Sequence, residues 1–287
     1  MLMNMKDLLE VANKNYFAVP AFNVSDYSMF IGIMESCEKT NSPVIIEIHP
    51  LELAFTGTDL VDAVVKRAYK SRVPVCLHLD HCQDMGEIIF AIQAGFTSVM
   101  FDGSSLPFAQ NIEGAKNVVE IAHPANVSVE AELGTIGSTD NQAEAGAEQI
   151  IYTVPEDAVK FVEETGVDTL AVAIGTSHGL YPAGMTPKLR LDILRELKAA
   201  VHIPLVLHGG SNNADEEINE SVKLGINKIN ISSDIKAAYY DKMREVLKDE
   251  SLREPNIIQP FCIEAMQKVV EHKLRLFETV GKADLYK

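Results

Sequence analysis

The chain has 287 residues, of which 47% are hydrophobic, and a formal net charge of −16. A polyanion of this kind is repelled by nucleic-acid backbones and by anionic membrane surfaces, so neither is expected as a partner, whereas local backbone N–H groups can still hold a small phosphate. No apolar window is long enough for a membrane span, MLMNMKDLLEVANKNY lacks the apolar core of a signal peptide, and Cys37, Cys76, Cys82 and Cys262 form no CxxC pair. Together these features predict a reduced, cytoplasmic protein.

Along the chain, short apolar and β-branched runs alternate with amphipathic stretches, without a linker, so one domain spanning residues 1–287 is expected. The expected strands are 18–22 (AVPAF), 43–48 (PVIIEI), 74–79 (PVCLHL), 97–101 (TSVMF), 127–131 (VSVEA), 169–173 (TLAVA), 204–208 (PLVLH) and 228–232 (KINIS). Their mostly continuous apolar character is that of strands covered on both faces. Between them, Thr153-Val154-Pro155-Glu156 predicts a capping box opening a helix that ends near Gly166. GFTSVMF from Gly95, GVDTLAV from Gly166 and GINKINI from Gly225 share one pattern, which predicts a left-handed glycine closing a helix before each next strand. Eight strands alternating with helices predict a (β/α)8 TIM barrel. Extra C-terminal helices at 235–248 and 261–277 offer a docking face for a homodimer or homotetramer. A doubly wound sheet is the alternative, but PAFNVSDYS after the first strand has no glycine-rich fingerprint.

In such a barrel the chemistry sits at the C-terminal ends of the strands. Those ends carry Glu47 and His49; His78, Asp80 and His81; Asp102, Gly103 and Ser104; Glu130 and Glu132; GTSHG at 175–179; HGGS at 208–211; and Asn230, Ser232, Ser233 and Asp234. His81, His178 and His208 close three different strands. Each alone reads as a hydrogen-bonded strand-end residue; three in parallel positions beside carboxylates read as the ligand set of a catalytic zinc. Gly209-Gly210-Ser211 and Asn230-Ile231-Ser232-Ser233 follow strands seven and eight, the usual phosphate corner, where glycine admits a ligand close to the backbone. Tight turns alone are the plainer reading of either segment.

Taken together, VPAFNV, SPVII, LHLDH, AGFTSVMFDGSSLPF, VSVEAELG, VDTLAVAIGTSHGLY, PLVLHGGS and GINKINIS span nearly the whole chain. They resemble the class II, zinc-dependent ketose-bisphosphate aldolases, which include the fructose- and tagatose-bisphosphate aldolases. The resemblance implies a lyase with His81, His178 and His208 as zinc ligands and Asp80 as the acid–base carboxylate. It further implies Gly179, Gly209, Gly210, Ser211, Asn230, Ser232 and Ser233 as the grip on dihydroxyacetone phosphate. Asp102 and Glu132 become acids that orient ligands or hold an alternate metal position. A monovalent cation (Na+ or K+) near the phosphate is also implied, with a phosphorylated sugar as substrate and a zinc-stabilised enediolate in the reaction.

Four segments depart from the family pattern. Glu47-Ile48-His49-Pro50 stands where a small hydroxyl or glycine segment is common; a carboxylate there would repel the donor phosphate unless His49 or a cation offsets it, and the plainer reading turns Glu47 outward into a helix N-terminus. The loop GTIGSTDNQAEAGAEQ offers Asp140, Glu144 and Glu148, but no clean match to the loop glutamate that moves the donor's C1 proton. EPNIIQPF offers Asn256 and Pro260, with Arg253 nearby, where an arginine for a distal phosphate is common, so a monophosphorylated or modified ketose is an alternative substrate. Cys82 follows His81 as a buried filler or a fourth ligand. His78 is assigned a packing or supporting role. The competing functions are a zinc hydrolase, a Schiff-base aldolase using Lys228, and a non-catalytic barrel.

Overall fold

The computed structural model describes residues 1–139, 149–181 and 187–287. Eight parallel strands close on one another in chain order: β1 (Val19–Asn23), β2 (Val44–Ile48), β3 (Val75–Cys82), β4 (Ser98–Phe101), β5 (Ser128–Leu133), β6 (Thr169–Val172), β7 (Leu205–Leu207) and β8 (Ile226–Ile231). All eight expected strands are present, with ends shifted by a few residues. Helices α2 (Tyr27–Thr40), α3 (Pro50–Lys70), α4 (Met85–Ala94), α5 (Phe108–Ala122), α6 (Pro155–Thr165), α7 (Leu191–Ala200) and α8 (Asp215–Lys223) cross between successive strands. The fold is a (β/α)8 barrel. The main core lies between strands and helices, which is why the strand sequences read as unbroken apolar runs.

The two ends of the barrel differ. At the N-terminal end, α1 (Met5–Lys14) lays Met5, Leu8, Leu9 and Ala12 against Phe17, Val19, Ala21, Ile45 and Cys76, all buried. Each such leucine contributes roughly 1.5–3 kcal/mol by burial. This plug leaves the opposite end to the polar residues. Above that end, the two-residue strands Gly137–Ser138 and Ser177–His178 pair with each other in parallel. The chain finishes with α9 (Ser233–Val246) and α10 (Pro255–Leu276), which pack on each other, α10 also lying on α2.

Gly95, Gly166 and Gly225 all take positive φ after their helices, as their repeated motif predicts. The capping box is not formed. Helix α6 starts at Pro155 with no side-chain cap, because the Thr153 hydroxyl is used elsewhere: it donates to Leu133 O and accepts from Ala173 N (2.8 Å), tying the ends of β5 and β6 together. Helix α10 begins six residues before the expected Phe261, at Pro255 in its first turn, and continues through Pro260. Proline at the first position leaves no helical hydrogen bond unmade, so Pro255 sets the start and Pro260 removes only one bond of the ladder. Among the described residues, no helix is long and apolar enough to cross a membrane.

Candidate active site

Strand β3 carries the central motif. In a regular strand successive side chains point to opposite faces, so Asp80 and His81 would not share a site. The pairing of β3 with β4 shifts between Leu79 and Cys82, and His81 adopts φ 43°. A left-handed conformation at a non-glycine residue costs on the order of 1–3 kcal/mol, a strain characteristic of functional positions. The irregularity brings both side chains to one centre. Asp80 accepts hydrogen bonds from the amides of Asn23 (3.0 Å) and Asn230 (3.1 Å), while its Oδ1 lies 3.9 Å from His81 Nε2.

The three histidines converge. The His81 ring centroid is 4.9 Å from that of His178 and 4.6 Å from that of His208, and the latter two are 6.2 Å apart. One nitrogen from each lies within 4.8 Å of the others. Asp102 holds His81 Nδ1 at 2.8 Å, and Asp102 is itself held by the Ser104 amide (3.1 Å) and hydroxyl (2.7 Å). This leaves His81 Nε2 buried without a hydrogen-bond partner among the described residues, facing the other two rings. His208 meets Glu130 through Nε2 and Glu132 through Nδ1, both at 2.9 Å. His81, with a carboxylate behind it and its other nitrogen left to the front, and three rings in reach of one point fit a divalent ion held at about 2.0–2.1 Å by nitrogen; His208, engaged by a carboxylate on each nitrogen, joins once one of those contacts yields. His81, Asp102 and Glu132 form an overlapping second group of possible ligands, in keeping with the supporting or alternate-metal role expected of the two acids.

The electrostatics follow from burial and pairing. Burial opposes ionisation of Asp80, but His81, Lys228 and His208 outweigh it and hold the carboxyl far below the usual range. Burial lowers His81, yet Asp80 and Asp102 raise it well above an ordinary imidazole. Burial and its two neighbouring imidazoles keep His178 well below. Burial and Asp102 raise Glu132.

A layer below lies a second charged group. Lys228, fully buried, places Nζ 2.8 Å from Glu47 and 2.9 Å from Glu130. Burial disfavours its charge, but Glu130 and Glu47 more than compensate and raise it. A lysine clamped as an ammonium in this way is no Schiff-base nucleophile. Glu47 therefore points into the barrel rather than outward, and the cation that offsets it is the neighbouring Lys228, not His49, whose Nδ1 caps α3. One lysine shared among Glu47, Glu130 and Asp80 cannot keep all three ionised, and burial followed by Asp80 pushes Glu47 up to about 8. His78 lies in the same layer, its Nδ1 2.8 Å from Ser98 Oγ, and burial and Lys228 lower it to about 3.

The cleft above has two halves. The first, about 60 Å³, is lined by Gly179, Gly209, Ser211, Asn230, Ser232 and Ser233, together with Asn23, Asp80, His178 and Lys236. Six of the seven expected phosphate-grip residues thus meet there. Gly210 lies behind them: a Cβ on it would fall 2.4 Å from Ile229 Cγ2 and 2.8 Å from Asn230 O. Gly209 (φ 63°) likewise has no room, its Cβ falling 2.6 Å from Ser177 O. Helix α9 opens at this corner, where the Ser211 hydroxyl accepts from the Asp234 amide (3.3 Å), a helix start suited to an anion. Asn23 and Lys236 are missed in the sequence reading. Asn23 was legible as the last residue of β1, and Lys236 as a cation in a first helical turn, where acids are favoured.

The second half, about 540 Å³, adjoins His81, His178, Asp102 and Glu132 and extends to His49, Gln83, Asp84, Glu87 and Ser105. His49 caps α3: its Nδ1 accepts from Leu51 N (3.2 Å), and Glu52 accepts from its own amide (3.1 Å). Cys82 Sγ lies 3.5 Å from Asp84 O and 3.6 Å from Glu87 Oε2 and belongs to none of the ligand groups, so it is the buried filler. Arg253 and Asn256 are exposed and line neither half. The loop acids Asp140, Glu144 and Glu148 lie outside the described residues.

Residues 3–282 match the family model described as fructose-bisphosphate aldolase class-II. Among solved structures, the YdjI aldolase from Escherichia coli K12 is 32% identical, with 99% of this chain and 100% of that chain covered at a TM-score of 0.86. A putative fructose-1,6-biphosphate aldolase from Coccidioides immitis is 27% identical over 98% of both chains at a TM-score of 0.86. Fructose-bisphosphate aldolase from Campylobacter jejuni, 24% identical over 98% of this chain and 96% of that one, shares the fold at a TM-score of 0.79.

Proposed function

From the premise that this chain belongs to the class II fructose-bisphosphate aldolase family and is an aldolase, a lyase, we propose that it cleaves a ketose phosphorylated at C1, reversibly, to dihydroxyacetone phosphate and an aldehyde. Fructose and tagatose 1,6-bisphosphates belong to this class of ketose. The observation that carries the reading is the position of Asp80, fixed between two asparagine amides at the point where the phosphate corner meets the three-histidine cluster.

The residues divide the work as follows. The phosphate rests among Gly209, Ser211, Ser232 and Ser233, beside Lys236 and the start of α9, which fixes the donor half and lowers the entropic barrier. Asp80, held ionised, takes the proton of the C4 hydroxyl; the C3–C4 bonding pair passes to the donor half and the aldehyde departs; the donor carbon then takes up one proton to give dihydroxyacetone phosphate while Asp80 releases the one it took, so the protons balance. In condensation Asp80 returns that proton to the aldehyde oxygen. His81, His178 and His208 would hold the metal, with Asp102 fixing the ring of His81 and Glu130 and Glu132 that of His208. Zinc bound there supplies Lewis-acid stabilisation of the negative charge that develops on the donor's oxygens.

Condensation of dihydroxyacetone phosphate with a panel of aldehydes tests this reading. Activity that disappears with a chelator and returns with zinc is expected. Activity indifferent to chelation, or product trapped on lysine by borohydride, would contradict it.

A further inference from the structure

The two halves of the cleft are built from opposite chemistry. The donor half offers backbone, serine hydroxyls, asparagine amides and the ammonium of Lys236, which Glu52 holds at 2.8 Å, and its one carboxylate among the described residues is that of Asp80. In the acceptor half every Lys, Arg, Asp or Glu side chain is acidic: Asp84, Glu87, Asp102 and Glu132. No lysine or arginine lines it among the described residues, and the two segments outside them, DNQAEAGAE (140–148) and PAGMT (182–186), contain neither residue. The acceptor half is also the larger, about 540 Å³ against about 60 Å³. Gln83 and Ser105 supply uncharged polar groups at its wall.

A phosphate dianion at the far end of the sugar needs a cationic or bidentate partner; beyond His81 and His178, which face the three-histidine cluster, and His49, whose Nδ1 accepts from Leu51 N, it meets carboxylates here. Sugar hydroxyls are suited to the same wall, since they donate to carboxylates and exchange hydrogen bonds with amide and hydroxyl groups. Resting on the aldolase reading above, we propose that the substrate is a ketose 1-phosphate without a distal phosphate, its aldehyde half an uncharged polyhydroxylated chain.

The test is condensation by the metal-loaded enzyme of dihydroxyacetone phosphate with matched acceptors: glyceraldehyde against glyceraldehyde 3-phosphate, and erythrose against erythrose 4-phosphate. The unphosphorylated member of each pair is expected to have the higher kcat/KM, by about tenfold or more, from repulsion between the dianion and the acidic wall. The double variant Asp84→Asn, Glu87→Gln keeps an amide oxygen to cap α4 and removes two charges; it is expected to raise kcat/KM for the phosphorylated acceptors severalfold. Phosphorylated acceptors that equal or exceed their partners in the wild type overturn the proposal, and an unmoved ratio in the double variant overturns the assignment of discrimination to these two carboxylates. Absence of condensation with every acceptor is a different failure: it overturns the aldolase reading, and the proposal with it.

Discussion

Two layers of buried charge stack inside this barrel, and they differ in where the balancing cation comes from. In the lower layer Lys228 stands between Glu47 and Glu130, so the chain supplies its own counter-ion. In the upper layer His81, His178 and His208 gather their nitrogens around one centre, backed by Asp102, Glu130 and Glu132, and among the described residues no lysine or arginine bonds to the three rings. The difference separates a structural charge cluster from a candidate metal centre, although both contain histidine and carboxylate. Glu130 joins the layers, touching Lys228 below and His208 above with the same oxygen.

Removing the upper layer is expected to have the largest effect. His178→Ala takes away a proposed ligand nitrogen from a residue whose backbone carbonyl, not its side chain, anchors Thr139, so the fold should survive while metal retention and aldolase activity fall to background. Metal content after gel filtration, read beside circular dichroism, checks this. Asp80→Asn is expected to lower kcat by about 10²–10⁴ with zinc retained, the span typical of lost acid–base catalysis. Loss of zinc in that variant would make Asp80 a metal-site residue instead.

Breaking the lower layer should act on stability. Lys228→Met leaves Glu47 and Glu130 buried around no cation, and a loss of about 3–5 kcal/mol is expected in urea unfolding. A smaller effect comes from Asp102→Asn, which weakens the grip on His81 Nδ1. Zinc affinity in a chelator competition should fall by roughly 10–100-fold with the unfolding midpoint of the metal-free protein little changed.

The last effect concerns pH. Glu47 sits at about 8 when folded, against 4.5 for an ordinary glutamate, so the folded state keeps a proton that the unfolded state surrenders. Its contribution to stability is full below pH 4.5 and is lost as pH rises toward 8. Glu47→Gln removes that titration, so the variant should gain stability relative to wild type steadily across this window. A constant difference between the two would place Glu47 as a permanently ionised partner of Lys228.

What could be read from the sequence tracks how local the physics is. The strands, the glycine-closed helices and the strand-end placement of the three histidines were legible because each is announced by neighbours within a few residues, whereas the role given to Asp80 came through the family resemblance. Glu130 and Glu132 were legible as a same-face pair two apart on β5. The Lys228 pairing was not, since Glu47, Glu130 and Lys228 meet only when β2, β5 and β8 close around one axis. Nor was the β3 irregularity that lets Asp80 and His81 face one way, because LHLDHC read as a plain strand sends them apart. Thr153 misled for a similar reason: its hydroxyl serves a contact between two strand ends rather than the helix two residues on.

The account rests most heavily on one ion gathered by three imidazoles. A crystal of the zinc-loaded protein with anomalous data collected on both sides of the zinc absorption edge tests it directly. The predicted result is one strong peak per chain, about 2.0–2.1 Å from a nitrogen of each of His81, His178 and His208. A peak seated instead among Glu47, His78 and Asp80, or no peak with the three rings turned apart, would contradict it.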